Sequence, residues 1–258
     1  PRLDRLIGVE ISATGLLIAG HKILVNGLTI TGTYGNLVIG ANGAIGQGFA
    51  RQLKQDPACS EVIEVTRSTN PRFNLEDADS IDLLGSDLAR HAPFHFIVDA
   101  TGILTIDGVG PEKALARLEH ETLQRAFAIN AIGPALLLKQ VAPLLGGGDA
   151  IYAKLSARVG SITDNKKGGW YGYRASKAAL NMVLQTAAIE LQRRNPRLRV
   201  VALQPGTVRS RLSRPFEAGV TQLLEPAESV AGMMQALLSL PAKAGAHFID
   251  YRGQEIPW

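Results

Sequence analysis

The sequence predicts an α/β fold, with one domain in which a parallel sheet is covered by helices on both faces. Three observations carry this. From residue 36 onward, short β-type runs alternate with longer stretches of helical period. Those runs are continuously apolar rather than alternating, as strands buried on both faces are. No internal repeat or low-complexity linker divides the 258 residues, a length that one α/β domain commonly fills.

The elements follow in order. NLVIG (36–40) reads as a buried strand and AIGQGFARQLKQ (44–55) as a helix. EVIEVTR (61–67) and FHFIVDATG (94–102) are strands, the latter ending at Gly102. The stretch 120–145 is helical, with a break or kink expected near Gly133-Pro134. DAIYAKLSA (149–157) is a strand, 172–194 a helix, and LRVVALQPG (198–206) a strand. EPAESVAGMMQALLSL (225–240) opens with Pro226 and acidic residues, a helix-start signature, and HFIDY (247–251) closes the sheet. Residues 1–35 read as an N-terminal extension and 36–258 as the domain. The extension's apolar run, ISATGLLIAG (11–20), is too short to span a bilayer and is interrupted by Gly15.

Composition narrows the function. The chain is 46% hydrophobic and 19% charged, ordinary for a globular protein in water. A net charge of +4 without a Lys/Arg block gives no argument for nucleic acid. Arg193, Arg194 and Arg197 cluster at an expected helix end, where cations complement the dipole. Cys59 is the only cysteine, so neither an intrachain disulfide nor a thiolate metal site is possible. His91 and His95 have helical ligand spacing, but Pro93 between them opposes a helix. The expectation is a cytoplasmic protein without a metal, a membrane or a nucleic-acid partner.

The chemistry begins after the first strand of the domain, at Gly40-Ala41-Asn42-Gly43-Ala44-Ile45-Gly46. A strand, a glycine-rich turn and a helix start make a dinucleotide site, because the turn lets backbone approach a pyrophosphate and the helix offers free N–H groups. This makes the expected sheet doubly wound and Rossmann-type. Its spacing is G-x-x-G-x-x-G. The strand 61–67 ends in Arg67-Ser68, with no carboxylate at its tip for ribose hydroxyls. Arg67 and Ser68 can receive a 2′-phosphate instead, which favours NADP over NAD, against the plainer reading of a solvated arginine. Asp99-Ala100-Thr101-Gly102 ends the next strand, close to where a cofactor would pass. Asn130 sits in mid-helix, where asparagine is unfavoured without a task. Ser156 closes the strand 149–157, and strand C-termini are where such sheets bind ligands. Tyr173 and Lys177 lie one helical turn apart on one face. An ammonium beside a phenol favours the phenolate, which would lower the tyrosine from about 10 toward working pH. Tyr173 can then give or take a proton as hydride moves to or from a carbonyl carbon. Pro205-Gly206-Thr207-Val208 follows another strand and can hold a nicotinamide amide through backbone groups.

This ordered set resembles the short-chain dehydrogenase/reductase family over about residues 36–251. LSARVGSITDN and GGWYGYRASKAALN are most similar to its C-factor (C-signal) and sniffer-like carbonyl reductase branch. The resemblance implies a catalytic set of Tyr173, Lys177, Ser156 and Asn130. It implies cofactor contacts from Gly40, Asn42, Gly43, Ile45, Gly46, Arg67, Ser68, Ala100, Thr101, Gly102, Tyr173, Lys177, Pro205, Gly206, Thr207 and Val208. Lys177 would also bond the nicotinamide ribose, and Asn130 would hold a water in a proton relay. The segment 207–226 would close over substrate; its Arg209, Arg211 and Arg214 read as solvated or bound to cofactor phosphate, with an acidic substrate as the alternative. A homodimer or homotetramer through the long helices is also implied. Three departures stand out. Ile39 replaces the usual threonine, and the family's middle glycine falls on Ala44. The family's Ser-Ser pair reads Ser156-Ala157, which leaves Ser156 or Ser161 as the oxygen anchor. The implied activity is an NADP-preferring oxidoreductase (NAD possible) acting on a small carbonyl or secondary alcohol. The alternative is a non-catalytic dinucleotide-binding regulatory protein of C-factor type.

Overall fold

The structure is a computed structural model, and it describes residues 34–217 and 222–258 together with the strand residues 9–12, 15–18 and 21–23. Those strands, β1 (Val9–Ser12), β2 (Gly15–Ile18) and β3 (His21–Ile23), form an antiparallel sheet of their own. The remaining expectation for residues 1–33 lies outside the described residues.

The main sheet is built from β4 (Tyr34–Ile39), β5 (Cys59–Val65), β6 (Phe94–Asp99), β7 (Ile151–Leu155), β8 (Arg199–Gln204) and β9 (His247–Asp250). Its order is β5-β4-β6-β7-β8-β9 and every pairing is parallel. The chain leaves β4 toward β5 on one side and returns to β6 on the other. The crevice between the C-terminal ends of β4 and β6 is therefore the switch point at which such sheets bind ligands.

Successive strand side chains point to opposite faces, so each strand feeds two cores. Leu37, Ile39, Ile97, Tyr152 and Val200 join one cluster, with Ile81, Leu84 and Leu88 of α2 (Ala78–Leu88), Leu137 and Val141 of α4 (Gly133–Val141), and Leu180 and Leu184 of α5 (Tyr171–Leu191). Val38, Val98, Ala153 and Val201 join the other, with Phe49 and Leu53 of α1 (Ala44–Lys54) and Val230 and Met233 of α6 (Pro226–Ser239). In α1, Phe49 and Leu53 recur at helical spacing on the buried face, while Arg51 and Lys54 close the last turn. Leu37 is fully buried, and truncating such a side chain to Ala costs about 2–5 kcal/mol.

Two differences from the sequence reading matter. The break expected near Gly133-Pro134 falls just before it and is a π-helical turn: α3 (His120–Phe127) runs through Ala128–Ile132 in π geometry before α4 begins. Pro134 follows that junction, where its missing N–H is least costly. Between β5 and β6, a stretch for which no element was expected, α2 is capped at Asp77. Its side chain accepts the N–H groups of Asp79 (3.0 Å) and Ser80 (3.3 Å). By length and composition alone His120–Leu144 is apolar enough to cross a bilayer, but Leu137, Leu138 and Val141 within it pack in the core of the sheet.

Candidate active site

The site starts from the turn after β4. Gly40 has φ +80°, and a Cβ there would meet the backbone of Ala100 and Thr101 at 3.2 Å. A Cβ on Gly46 would stand 2.3 Å from the Gly40 carbonyl oxygen, so the first turn of α1 can close on the glycine loop only without a side chain. No side chain caps α1 at Gly43, and its first turn holds no acidic residue. Its leading N–H groups therefore face the switch point without an intrahelical partner. These residues fit the pyrophosphate of a dinucleotide. Beyond β5, Thr66 Oγ1 accepts the N–H groups of Ser68 (3.2 Å) and Thr69 (3.0 Å) and shapes a turn that leaves Arg67 and Ser68 exposed.

At the end of β6 the turn 99–103 is bonded on both sides. Asn130, buried in the π-helical turn, accepts the N–H of Ile103 and donates to its carbonyl, both at 2.9 Å, and also donates to Ser176 Oγ at 3.3 Å. The extra residue of a π turn re-aims a side chain out of the helical register, which is the task this asparagine needed. A Cβ on Gly102 would be 3.4 Å from both Asn130 Oδ1 and Lys177 Nζ. Lys177 is buried and donates to the Leu155 carbonyl at the end of β7 (3.1 Å). Its Nζ lies 5.8 Å from the centroid of the half-buried Tyr173 ring. The backbone after β8 is held by two hydrogen bonds. Ser229 donates to the Pro205 carbonyl (2.6 Å), and Thr207 accepts from Leu224 N–H (2.9 Å).

Residues 36–220 match the short chain dehydrogenase family. The chain belongs to that family, a class of pyridine-nucleotide-dependent oxidoreductases. It is 27% identical over 232 residues to 1-hydroxy-2-glutathionyl-2-methyl-3-butene dehydrogenase of Rhodococcus sp. (strain AD45), covering 86% of this chain and 98% of that protein. It is 34% identical over 146 residues to C-signal of Myxococcus xanthus, covering 56% of this chain and 84% of that protein. A solved short-chain dehydrogenase/reductase from Burkholderia multivorans with bound NADP superposes with a TM-score of 0.73 at 24% identity, covering 88% of this chain and all of that one.

One expectation for this dehydrogenase needs correction. The expected lowering of Tyr173 by Lys177 does not appear. Burial pushes Tyr173 up to about 12, because the phenolate loses its water and no anion-stabilising hydrogen bond replaces it. Burial likewise draws Lys177 down to about 7, with the Lys154 ammonium adding to the fall and Asp99 opposing it. Both candidate serines have other hydrogen-bond partners in the fold. Ser156 Oγ donates to Asn181 Oδ1 of α5 at 2.6 Å and is buried there. Ser161 Oγ accepts the Asp164 N–H at 2.9 Å. Neither lines the cavity around Tyr173, whose walls include Ile103, Leu104, Val109, Pro111 and Asn130.

The structure also brings in residues that sequence reasoning missed. Glu112 accepts the Gly172 N–H (3.0 Å) and so caps the start of α5 just before Tyr173. Trp170, at φ +55°, sets its ring edge-on to Phe216 (5.3 Å) and to Tyr173 (6.2 Å). Phe216 belongs to the segment 207–226, of which residues 218–221 lie outside the described residues. In that segment Arg209 pairs with Glu225 at 2.8 Å and Glu217 at 3.8 Å. Lys154 was passed over as one residue of an apolar strand. Its meaning depends on Asp99 standing opposite in β6, which only the sheet register reveals.

Proposed function

We propose that this chain is an NADP-preferring oxidoreductase that transfers hydride between the nicotinamide cofactor and a carbonyl or secondary alcohol, with Tyr173 as acid and base. The carrying observation is the meeting of Tyr173, Lys177 and Asn130 beside Gly102 at the switch point. The glycine turn and the first turn of α1 would hold the pyrophosphate. Arg67 and Ser68 would hold the 2′-phosphate, a preference supported by the absence of a carboxylate at the end of β5 and by the NADP in the Burkholderia relative. When bound, the cofactor supplies or accepts the hydride. With its pKa pushed up to about 12, Tyr173 carries its proton at neutral pH, which is the form that can protonate a carbonyl oxygen. Ser156 ties β7 to α5 through Asn181, and so holds Lys177 one turn earlier on the same helix. Met182 and Ile189 expose apolar surface on α5, which fits a homodimer or homotetramer through the long helices.

The test follows NADPH oxidation with a panel of aldehydes, ketones and quinones, with NADH in parallel. Turnover should prefer NADPH, and Tyr173→Phe should lower it by about 10²–10⁴-fold with cofactor binding intact. Turnover unchanged in that variant would sink the assignment. One observation favours a second reading, a dinucleotide-binding regulatory protein: Ala157 stands where a hydroxyl is usual, and the Ser156 hydroxyl is spent on Asn181. Cofactor binding with no turnover on any carbonyl would select it.

A further inference from the structure

β6 and β7 run parallel with Asp99 opposite Lys154. Both side chains are fully buried, and Nζ stands 2.9 Å from Oδ1. On the same face of the sheet the preceding residues, Ile97 and Tyr152, belong to a buried hydrophobic cluster. Burying two charges in such a layer is costly and seldom adds stability over an apolar pair, so the pair needs another explanation.

Its contacts supply one. Lys154 Nζ also donates to the Thr101 carbonyl (2.7 Å) and to Thr101 Oγ1 (2.9 Å). Asp99 Oδ1 in turn accepts the Thr101 N–H (2.9 Å) and hydroxyl (2.6 Å). Every proton of the ammonium is thus spent on the turn 99–101. The next residue, Gly102, abuts Lys177 Nζ, and the one after it, Ile103, is gripped by Asn130. From the other side, Lys177 Nζ donates to the carbonyl of Leu155, the chain neighbour of Lys154. Two short routes therefore join the buried pair to Lys177, one through Thr101 and Gly102 and one along β7.

We propose that Lys154, locked by Asp99, is a positioning residue for Lys177: it fixes the turn 99–102 against which the Lys177 side chain rests. Lys154 itself never reaches substrate. The inference rests on the reading of Lys177 as part of the proton-transfer site. The charged and titratable groups facing Lys177 are Lys154 and Asp99 from the sheet and Tyr173 from its own helix. Burial is the main force against the Lys177 ammonium. The like charge of Lys154 opposes it further, and Asp99 pulls the other way more weakly.

The test titrates the full chain with lysines labelled at ¹³Cε, the Lys177 resonance being assigned with K177M. Neither cofactor nor substrate is present, so failure of the oxidoreductase reading and failure of this proposal are separate results. In the native chain Lys177 should titrate at about 7. In Lys154→Met the midpoint should rise, because the like charge that opposed the Lys177 ammonium is gone and its effect is larger than the support from Asp99. Asp99→Asn combined with Lys154→Gln keeps polar groups at both positions, covers the case in which the single variant fails to fold, and should also move the midpoint up. A midpoint unmoved in the folded variants overturns the proposal. So does a native Lys177 titrating near the ordinary lysine value of about 10.4, a result that needs no variant.

Discussion

Gly46→Ala is the sharpest perturbation the cofactor cradle allows. The added Cβ would stand 2.3 Å from the Gly40 carbonyl oxygen and 2.9 Å from Ala41 Cα, both of them backbone. Real Cβ contacts do not fall below 3.0 Å, so the start of α1 or the glycine turn must move by several tenths of an ångström. Overpacking of this kind costs about 1–3 kcal/mol, which lowers Tm by roughly 2–10 °C in a chain of this size. The same movement withdraws the first-turn N–H groups from the phosphate position. Losing hydrogen bonds to a charged group costs about 1.5–3 kcal/mol, or about 10–100-fold in cofactor affinity. Gly43→Ala is the internal control for stability, since its Cβ would meet the same carbonyl at 3.4 Å, an ordinary contact, and its φ of −77° suits any residue. Calorimetric NADPH titration and thermal unfolding of both variants read the two effects. A Gly46→Ala protein as stable as Gly43→Ala, binding NADPH as tightly as the native chain, would refute the account of the turn.

Further outcomes follow from the same geometry. Asn181→Ala leaves the buried Ser156 hydroxyl unpaired at a cost of about 1–3 kcal/mol, and Ser156→Ala should lower turnover to a similar extent, with the double variant well short of additive. If Ser156 instead anchors substrate, Ser156→Ala alone will lose kcat/KM while Asn181→Ala keeps it. Arg67→Ala should weaken NADPH binding by about 10–100-fold and leave NADH binding unchanged, and equal losses for both cofactors would return Arg67 to the solvated surface. Stability should rise as pH increases from about 7 to about 10. Lys177 is held near 7 in the fold, so the unfolded chain binds more protons across that window. Above about 10 the trend should reverse, because folded Tyr173 keeps its proton to about 12 while the unfolded tyrosine releases it. Unfolding midpoints across this range check the sign, and Lys177→Met should flatten the rising limb.

The order of strands and helices and most of the site were legible because they rest on local chemistry. Gly40, Gly43 and Gly46 mark a strand–turn–helix passage by spacing alone, and Tyr173 with Lys177 follows from the pitch of a helix. Asn130 was legible as an oddity, an asparagine where helices do not favour one, but not as the product of a π-helical turn, which has no local signature in AINAI. Strand position places the Ser156 hydroxyl at the end of β7 but does not say which neighbour takes its hydrogen bond, and Asn181 as its partner was not legible. The perturbed proton affinities of Tyr173 and Lys177 could not be read at all. They depend on how much water the assembled fold leaves around each group, and the ammonium-beside-phenol argument holds only where the ammonium keeps its charge.

The buried face of α5 carries the connection between fold and site. It meets the sheet through Leu180, Leu184 and Ala188, an apolar seam that fixes the distance between helix and strands but is weak at fixing the helix along its own axis. Its first half meets the strand ends through polar groups: Ser176 with Asn130, Lys177 with Leu155, Asn181 with Ser156, and Glu112 on the Gly172 N–H. Hydrogen bonds are directional where apolar packing is not, so these contacts set the axial position and rotation of the helix at the residues that must meet a reacting oxygen. Glu112 comes from a loop, Asn130 from the π-helical turn, and Leu155 and Ser156 from the end of β7, so a shift of any one of these elements is resisted by bonds from the others. On this argument the polar residues of the first half of α5 are retained for placement, and replacing any one of them by an apolar residue of similar size would cost more in turnover than in stability.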